Sequence, residues 1–273
     1  MDAVRRSAAK LWFMLLLTIR AAVCCKTFFA ISIFFVAGVS AADSSSIAAH
    51  VEQTFTEAQA LIRKELTNVT ALIGFSAAAF NWAELAQKDS QRETIANQGI
   101  AAAREALRLV PTNAAAHYWL AMNLGQLART KTLGALSLVR QMETEFLEAH
   151  RMDEHLDYAG PDRSLGYLYR DAPGWPTSIG SKRKAREHLE RAVELDPDFP
   201  DNQLALLESF EQWSDRRAFE RQFAATEKSM AEAREKFIGP EWEQSWADWE
   251  KRWNALKAKA GNVGKQAPSK GQR

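Results

Sequence analysis

The chain has 273 residues, 47% hydrophobic and 25% charged, with a formal net charge of +1. These proportions are ordinary for a folded globular protein, and the abundance of alanine without alternating Val/Ile runs favours helices over strands. Residues 1–41 carry five bases and one acid, so the remainder of the chain is net negative. A net negative body argues against a nucleic-acid or anionic-membrane surface.

Residues 1–41 have the pattern of a secretory signal peptide. A basic start precedes two apolar runs, and the second run ends in Val39-Ser40-Ala41, which is a small-x-small exit. We expect cleavage near Ala41 and therefore an exported chain that is periplasmic or associated with the envelope. The alternative is an uncleaved N-terminus, retained as an anchor or lipidated at Cys24. Both cysteines lie in this segment, so the mature chain is expected to lack disulfides.

A helical stripe of small and apolar residues recurs along the chain at a step of 43 residues. A small residue at a helix crossing, followed by an exit proline, is typical of the second helix of a helical-hairpin repeat. The sequence therefore predicts an all-α array of stacked hairpins, an α-solenoid. The three copies of the stripe are Gly99, Ala103, Ala106 and Pro111; Met142, Phe146, Ala149 and Glu154; and Ala185, Leu189, Ala192 and Pro197.

The predicted repeat domain spans residues 42–258 and is followed by a polar tail over 259–273 that we expect to be disordered. A first amphipathic helix is predicted over Ile47–Leu66. Asn113 and Ser181 are predicted N-caps, because each precedes a helical stretch. The predicted hairpins cover about 69–111, 113–154, 161–197 and 200–237, with a capping helix over 240–258.

The predicted capping helix carries four tryptophans on one face: Trp242, Trp246, Trp249 and Trp253. Their spacing of four, three and four residues places them on a single helical stripe. A terminal repeat has no neighbour to cover its apolar face, so a stripe of large side chains suits a cap. The alternative is an interface in a homo-oligomer, because four tryptophans exceed what one helix face usually needs.

Leu165-Gly166-Tyr167-Leu168-Tyr169, paired with the stripe that ends at Pro197, resembles a tetratricopeptide repeat. Three longer stretches also resemble the TatT family, the T component of TRAP transporters. That resemblance covers roughly Phe80–Leu207 and implies a periplasmic, oligomeric, non-enzymatic protein that partners the solute-binding protein of the transporter. The chain departs from the family in its cysteine context, which is a poor lipidation site, and in its C-terminal tryptophan helix. The stretches are FNWAELAQ, AAAHYWLAMNLGQLARTK and DYAGPDRSLGYLYRDAPGWPTSIGSKRKAREHLERAVELDPDFPDNQLALLE.

We find no sequence motif for catalysis, metal binding or a cofactor. There is no phosphate-binding glycine loop, no HExxH and no nucleophile elbow. His150 and His155 lie about 140° apart around a helix, so they do not share a metal-binding face. His117 lies on an inward face and is interpreted as a hydrogen-bonded core histidine. The chain is therefore predicted to be neither an enzyme nor a metalloprotein.

A groove along the first helices of the hairpins is the predicted partner site. The residues offset from the packing face combine aromatic side chains with arginines, which suit a carboxylate ligand or an acidic peptide. In the alternative interpretation, the arginines pair with Asp162, Asp171 or Glu84 at the surface. Trp175 is expected either to roof the groove or to fill the core of its hairpin. The predicted groove residues are Tyr118, Met122, Arg163, Tyr167, Arg170 and Trp175.

The leading functional hypothesis is an exported repeat protein that docks a periplasmic solute-binding protein of a TRAP-type transporter. The alternative is a generic tetratricopeptide scaffold for envelope protein–protein assembly, without a transport ligand. A third hypothesis, an enzyme accessory or hydrolase, predicts that changes at His117 or Arg163 abolish an activity.

Overall fold

The computed structural model describes residues 41–265, which form ten α-helices and no strand. The predicted signal peptide lies outside the described residues, apart from Ala41, and so does the end of the tail. The helices are α1 (Ala41–Lys64), α2 (Val69–Leu85), α3 (Asp89–Leu109), α4 (Ala114–Arg129), α5 (Ala135–Met152), α6 (Gly160–Asp171), α7 (Lys182–Leu195), α8 (Pro200–Gln212), α9 (Arg216–Lys236) and α10 (Pro240–Lys265).

From α1 to α9, each helix packs against the helix that follows it in the chain, as in helical hairpins. The pairs α2/α3, α4/α5, α6/α7 and α8/α9 correspond to the four predicted hairpins, so the predicted all-α array is confirmed. Helix α6 also packs on α5 and α8, and α10 packs on α8. Helix α1 starts earlier than predicted, at Ala41, and α10 continues to Lys265, seven residues past the predicted end.

The 43-residue stripe lies where the helices cross. In α3, α5 and α7, the side chains of the stripe are fully enclosed by neighbouring helices. Alanine and glycine at these positions let two helix backbones approach closely, which explains why the stripe repeats with the hairpins. The buried stripe residues are Gly99, Ala103, Ala106, Met142, Phe146, Ala149, Ala185, Leu189 and Ala192.

Four helices begin with a side-chain cap, and two of these caps are the predicted ones. Asn113 accepts a hydrogen bond from the N–H of Ala116, and Ser181 accepts one from the N–H of Lys184. Asn68 and Asp215 cap α2 and α9 in the same way. Each cap satisfies an N–H that would otherwise have no partner in the first helical turn.

Gly166 is required where α6 crosses α7. A Cβ at this position would lie 2.4 Å from Leu189 Cγ, which is too close for any real contact. We expect Gly166→Ala to lower the free energy of unfolding by about 1–3 kcal/mol, since the buried leucine must move. Gly74→Ala is the matched control, because a Cβ there meets nothing within 4 Å. It should stabilise α2 by about 0.5–1 kcal/mol. Urea denaturation measures both, and equal destabilisation by the two changes would contradict the packing.

No helix in the described part of the chain is both long enough and apolar enough to cross a membrane.

Candidate functional site

The structure does not form the predicted groove from the predicted residues. Tyr118, Met122, Arg163, Tyr167 and Arg170 are all buried, each with 9% exposure or less. Every residue of α6 from Gly160 to Arg170 is enclosed, so that helix has no open face. The expectation of an exposed face on α4 and α6 is therefore wrong, and we place the candidate partner surface elsewhere.

Arg163 is the centre of a buried polar network. Its guanidinium donates to the Tyr158 carbonyl at 2.9 Å and to the Asn202 side-chain oxygen at 2.8 Å. It also donates to the carbonyl and the carboxylate of Asp157, at 3.2 and 3.3 Å. The Tyr118 hydroxyl donates to the same carboxylate at 2.8 Å. The network thus joins α4, α6, α8 and the turn before α6.

That turn has an unusual backbone. Asp157, Tyr158 and Ala159 are consecutive non-glycine residues with φ values of 52°, 55° and 57°. Each such residue costs about 1–2 kcal/mol relative to an ordinary conformation. Burial alone would lower the pKa of Arg163, but Tyr118, Asp157, Asp201 and Tyr167 together outweigh it and raise that pKa, so the guanidinium stays charged. We interpret Arg163 as the residue that holds the strained turn in place.

Tyr167 and Arg170 also have partners within the chain. Arg170 makes a two-pronged ion pair with Asp171, at 2.7 Å for each prong. Asp171 is one of the partners named in the alternative interpretation, but the pair is buried and does not lie at the surface. The Tyr167 hydroxyl accepts a hydrogen bond from Arg252 of α10 at 3.1 Å. The polar groups of Tyr167 and Arg170, which were predicted to bind a partner, are therefore hydrogen-bonded within the chain.

Arg252 is the important polar residue that sequence reasoning missed. It donates to both carboxylate oxygens of Glu208, at 2.7 and 2.9 Å, and it also contacts Asp201. Burial opposes its charge, but Glu208, Tyr167 and Asp201 outweigh this effect and raise the pKa of Arg252 well above its ordinary value. The sequence does show two acids seven residues apart on α8, Asp201 and Glu208, and a base, Arg252, between two tryptophans. A single sequence, however, does not indicate that this base bonds to those acids.

The tryptophan stripe of α10 packs against the last hairpin. Trp242, Trp249 and Trp253 are buried, and the indole N–H of Trp246 donates to the Phe237 carbonyl at 2.7 Å. Phe199 meets Trp249 edge-on at 5.5 Å between ring centroids. This packing supports the interpretation of α10 as a cap, while an oligomer interface stays a prediction.

The histidines considered from sequence have different carboxylate partners. His117 contacts Glu145 at 2.5 Å and the Pro111 carbonyl at 3.0 Å, so it is hydrogen-bonded as expected, although its side chain is only partly buried. His150 lies 2.7 Å from the buried carboxylate of Asp162, which His188 shares. His155 approaches Asp196 instead. Within the described residues, no group of three such side chains is placed to hold a metal ion.

The loop between α6 and α7 presents Trp175 to solvent. The side chain is 88% exposed, so Trp175 neither fills the hairpin core nor roofs the buried polar network. Two contacts close the base of the loop. The Gly180 N–H donates to the Pro173 carbonyl at 2.9 Å, and Gly174 and Gly180, which flank the tip, form a single β-bridge. A Cβ on Gly180 would lie 2.0 Å from the Ala172 carbonyl oxygen, so the closed base requires glycine there.

A basic turn follows this loop. Lys182, Arg183 and Lys184 form the first turn of α7, which contains no acid. Lys184 approaches Glu143 at 3.5 Å, and Arg183 pairs with Glu187 one turn along. The Lys182 ammonium lies 5.3 Å from the ring centre of Trp213, which is partly exposed. An exposed indole and a cluster of bases thus lie within ten residues of each other in the chain.

Comparison with solved structures defines the class. TTC0263, a thermophilic TPR protein of Thermus thermophilus, matches with a TM-score of 0.55 and 15% identity, over 79% of this chain and 95% of its own. Two structures of MamA match with TM-scores of 0.48 and 0.46 and identities of 14% and 15%. They cover 73% and 72% of this chain, and 99% and 92% of their own. The protein has a tetratricopeptide-repeat fold.

Comparison with known sequences identifies the family of this chain less clearly than comparison with solved structures identifies its fold. The profile of a family described as regulator of microtubule dynamics protein 1-3 matches residues 40–159, which is less than half of the chain. No curated protein sequence matches significantly. The narrower resemblance to the TatT family is not confirmed by these comparisons.

Proposed function

We propose that this chain is an exported tetratricopeptide scaffold that binds a partner protein. The observation that carries the proposal is the stacked-hairpin fold, whose repeated helices offer extended surfaces for protein binding. His117 and Arg163, the two residues named for an enzymatic alternative, are both held in internal hydrogen bonds. Their arrangement supports a role in holding the scaffold together.

In its specific form, the proposal names a periplasmic solute-binding protein of a TRAP-type transporter as the partner. The support is the similarity of residues 80–207 to the TatT family, together with the signal-peptide pattern of residues 1–41. The Trp175 loop and the basic turn after it lie within the similar region.

The second candidate is a scaffold for another protein assembly. The match of residues 40–159 to a family named for regulation of microtubule dynamics favours it, because that name carries no transport role. In this case the partner would be a structural protein and no transport ligand would be involved.

A pull-down with the mature chain distinguishes the two candidates. We expect the chain lacking residues 1–41, used as bait in periplasmic extract of its own source, to recover a solute-binding protein. Mass spectrometry identifies the partner, and light scattering of the bait alone should give a mass above that of a monomer. Recovery of a structural protein would support the second candidate. A monomeric bait with no enriched partner would contradict the transporter form of the proposal.

A further inference from the structure

We infer that Trp175 and the first turn of α7 form a docking surface for an acidic, apolar segment of the partner protein. We name the set Trp175, Lys182 and Arg183 the Trp175 surface. The inference rests on the proposed function as a protein-binding scaffold, and it adds the location of the contact and the chemistry of the bound segment.

The side chain of Trp175 is exposed to solvent. A tryptophan side chain can bury about 150–250 Å² of surface, so leaving it in water forgoes a large stabilisation. Among the tryptophans in residues 41–265, only Trp175 is mostly exposed, at 88%. Tryptophan is also one of the residue types most enriched among those that dominate binding energy. The indole is therefore available to insert into an apolar pocket of a partner.

Backbone hydrogen bonds hold the loop that carries Trp175. The Thr177 and Ser178 N–H groups both donate to the Gly174 carbonyl, at 3.1 and 3.3 Å. The Ser181 N–H donates to the Tyr169 carbonyl at 2.8 Å, which ties the end of the loop to α6. Because these bonds already hold the loop, little conformational entropy is lost when a partner covers its tip. The pairing of Gly174 with Gly180 also fixes the backbone next to Trp175 against the residues that lead into α7.

The positive charge of the first turn of α7 indicates that the bound segment is acidic. The N-terminus of a helix carries a partial positive charge, so bases in the first turn are unfavourable for the helix itself. Arg183 and Lys184 each have a carboxylate within the chain, whereas Lys182 has none within 4 Å among the described residues. Carboxylates of a bound segment would relieve this repulsion and form charge-assisted bonds with Lys182 and Arg183.

A short acidic segment fits this surface better than an anionic lipid bilayer does. The basic turn is small, and the chain beyond residue 41 is net negative. Glu187 lies one turn after the bases, and its side chain is 56% exposed. A bilayer would face this acid as well as the bases, while a bound peptide needs only Trp175 and the turn.

Binding of defined peptides to the mature chain tests the inference. The probe is a fluorescein-labelled 12-residue peptide in which Asp and Glu alternate with Leu and Phe. One comparison peptide has Lys in place of the acids, and a second has Ser in place of the apolar residues. We expect fluorescence anisotropy to show salt-sensitive binding of the acidic, apolar peptide and at least roughly tenfold weaker binding of both others.

Three variants test whether the peptide binds at the Trp175 surface. Trp175→Ala and the double variant Lys182→Glu with Arg183→Glu should each weaken it by roughly tenfold or more. The matched control is Ile238→Ala, since Ile238 is 68% exposed in the turn between α9 and α10, outside the Trp175 surface. The two bases near it, Arg234 and Lys236, each pair with an acid of the chain. It should bind like the unchanged chain. Urea denaturation checks that the variants remain folded.

Several results would overturn the inference. They are no binding of the acidic peptide, equal binding of the lysine peptide, an unchanged affinity in Trp175→Ala, or preferential binding to 7:3 phosphatidylcholine–phosphatidylserine vesicles. The pull-down separates this inference from the proposed function. If Trp175→Ala recovers the same partner as the unchanged bait, the scaffold role stands and the docking surface is elsewhere. If the peptide results hold and no solute-binding protein is recovered, the surface stands and the transporter partner fails.

Discussion

Arg163→Met is expected to lower the free energy of unfolding by about 3–5 kcal/mol, because it removes one partner of a buried ion pair. Asp157 would keep a nearly buried carboxylate without its cation, and the carbonyls of Asp157 and Tyr158 in the strained turn would each lose the hydrogen bond from Arg163. Asn202 would remain as a donor to the Tyr158 carbonyl. Guanidinium denaturation followed by far-ultraviolet circular dichroism measures the effect. Arg163→Lys should be intermediate, since a single ammonium cannot reproduce the forked geometry.

The control for this change is Arg216→Met. Arg216 pairs with Glu220 one turn along α9, and both side chains are 60% exposed. An exposed pair of this kind contributes at most about 1 kcal/mol, so its loss should change the stability little. If Arg163→Met proved as mild as Arg216→Met, the network would not be what holds the turn before α6.

Trp249→Ala is expected to cost about 3–5 kcal/mol, the range for removing a fully enclosed large aromatic side chain. Trp249 is 1% exposed and lies 5.5–6.0 Å, between ring centroids, from Phe199, Phe237 and Trp242. Its loss would leave a cavity between α10 and the last hairpin. A thermal melt of the mature chain should show a clear decrease in Tm.

Trp175→Ala is the matched control for this second change. The same chemical deletion at an 88% exposed position should shift the stability by no more than about 0.5 kcal/mol. The two variants also separate the interpretations of the α10 stripe. If Trp249→Ala lowered the oligomeric mass and left the melting temperature unchanged, the stripe would be a subunit interface and the cap interpretation would fail.

The hairpin register was predictable because it depends on local periodicity. Small residues such as Ala149 and Ala192 recur at a fixed step, and a helix crossing needs them there whatever the rest of the chain does. The N-caps at Asn113 and Ser181 were predictable for the same reason, since a cap depends on a few neighbouring residues.

The site could not be predicted in the same way. The groove prediction assumed that one face of each first helix stays open, which depends on how distant helices close over it. Arg163 was assigned to that face, yet it bonds to Asn202, 39 residues along the chain. A turn over Asp157–Gly160 could be predicted, but its left-handed backbone could not. Aspartate tolerates that conformation, whereas Tyr158 and Ala159 are residue types that rarely adopt it. The exposure of Trp175 likewise depends on loop closure by Gly180.

The bonds of Arg163 and Arg252 have a consequence for how the array comes apart. Repeat arrays with contacts only between adjacent hairpins open from their ends, one unit at a time. Here Arg163 links the turn before α6 to the first helix of the adjacent hairpin, and Arg252 links the cap past that hairpin to α6 as well as to α8. We therefore expect the C-terminal half to unfold as one cooperative unit, with fraying at the cap coupled to loss of order as far back as α6.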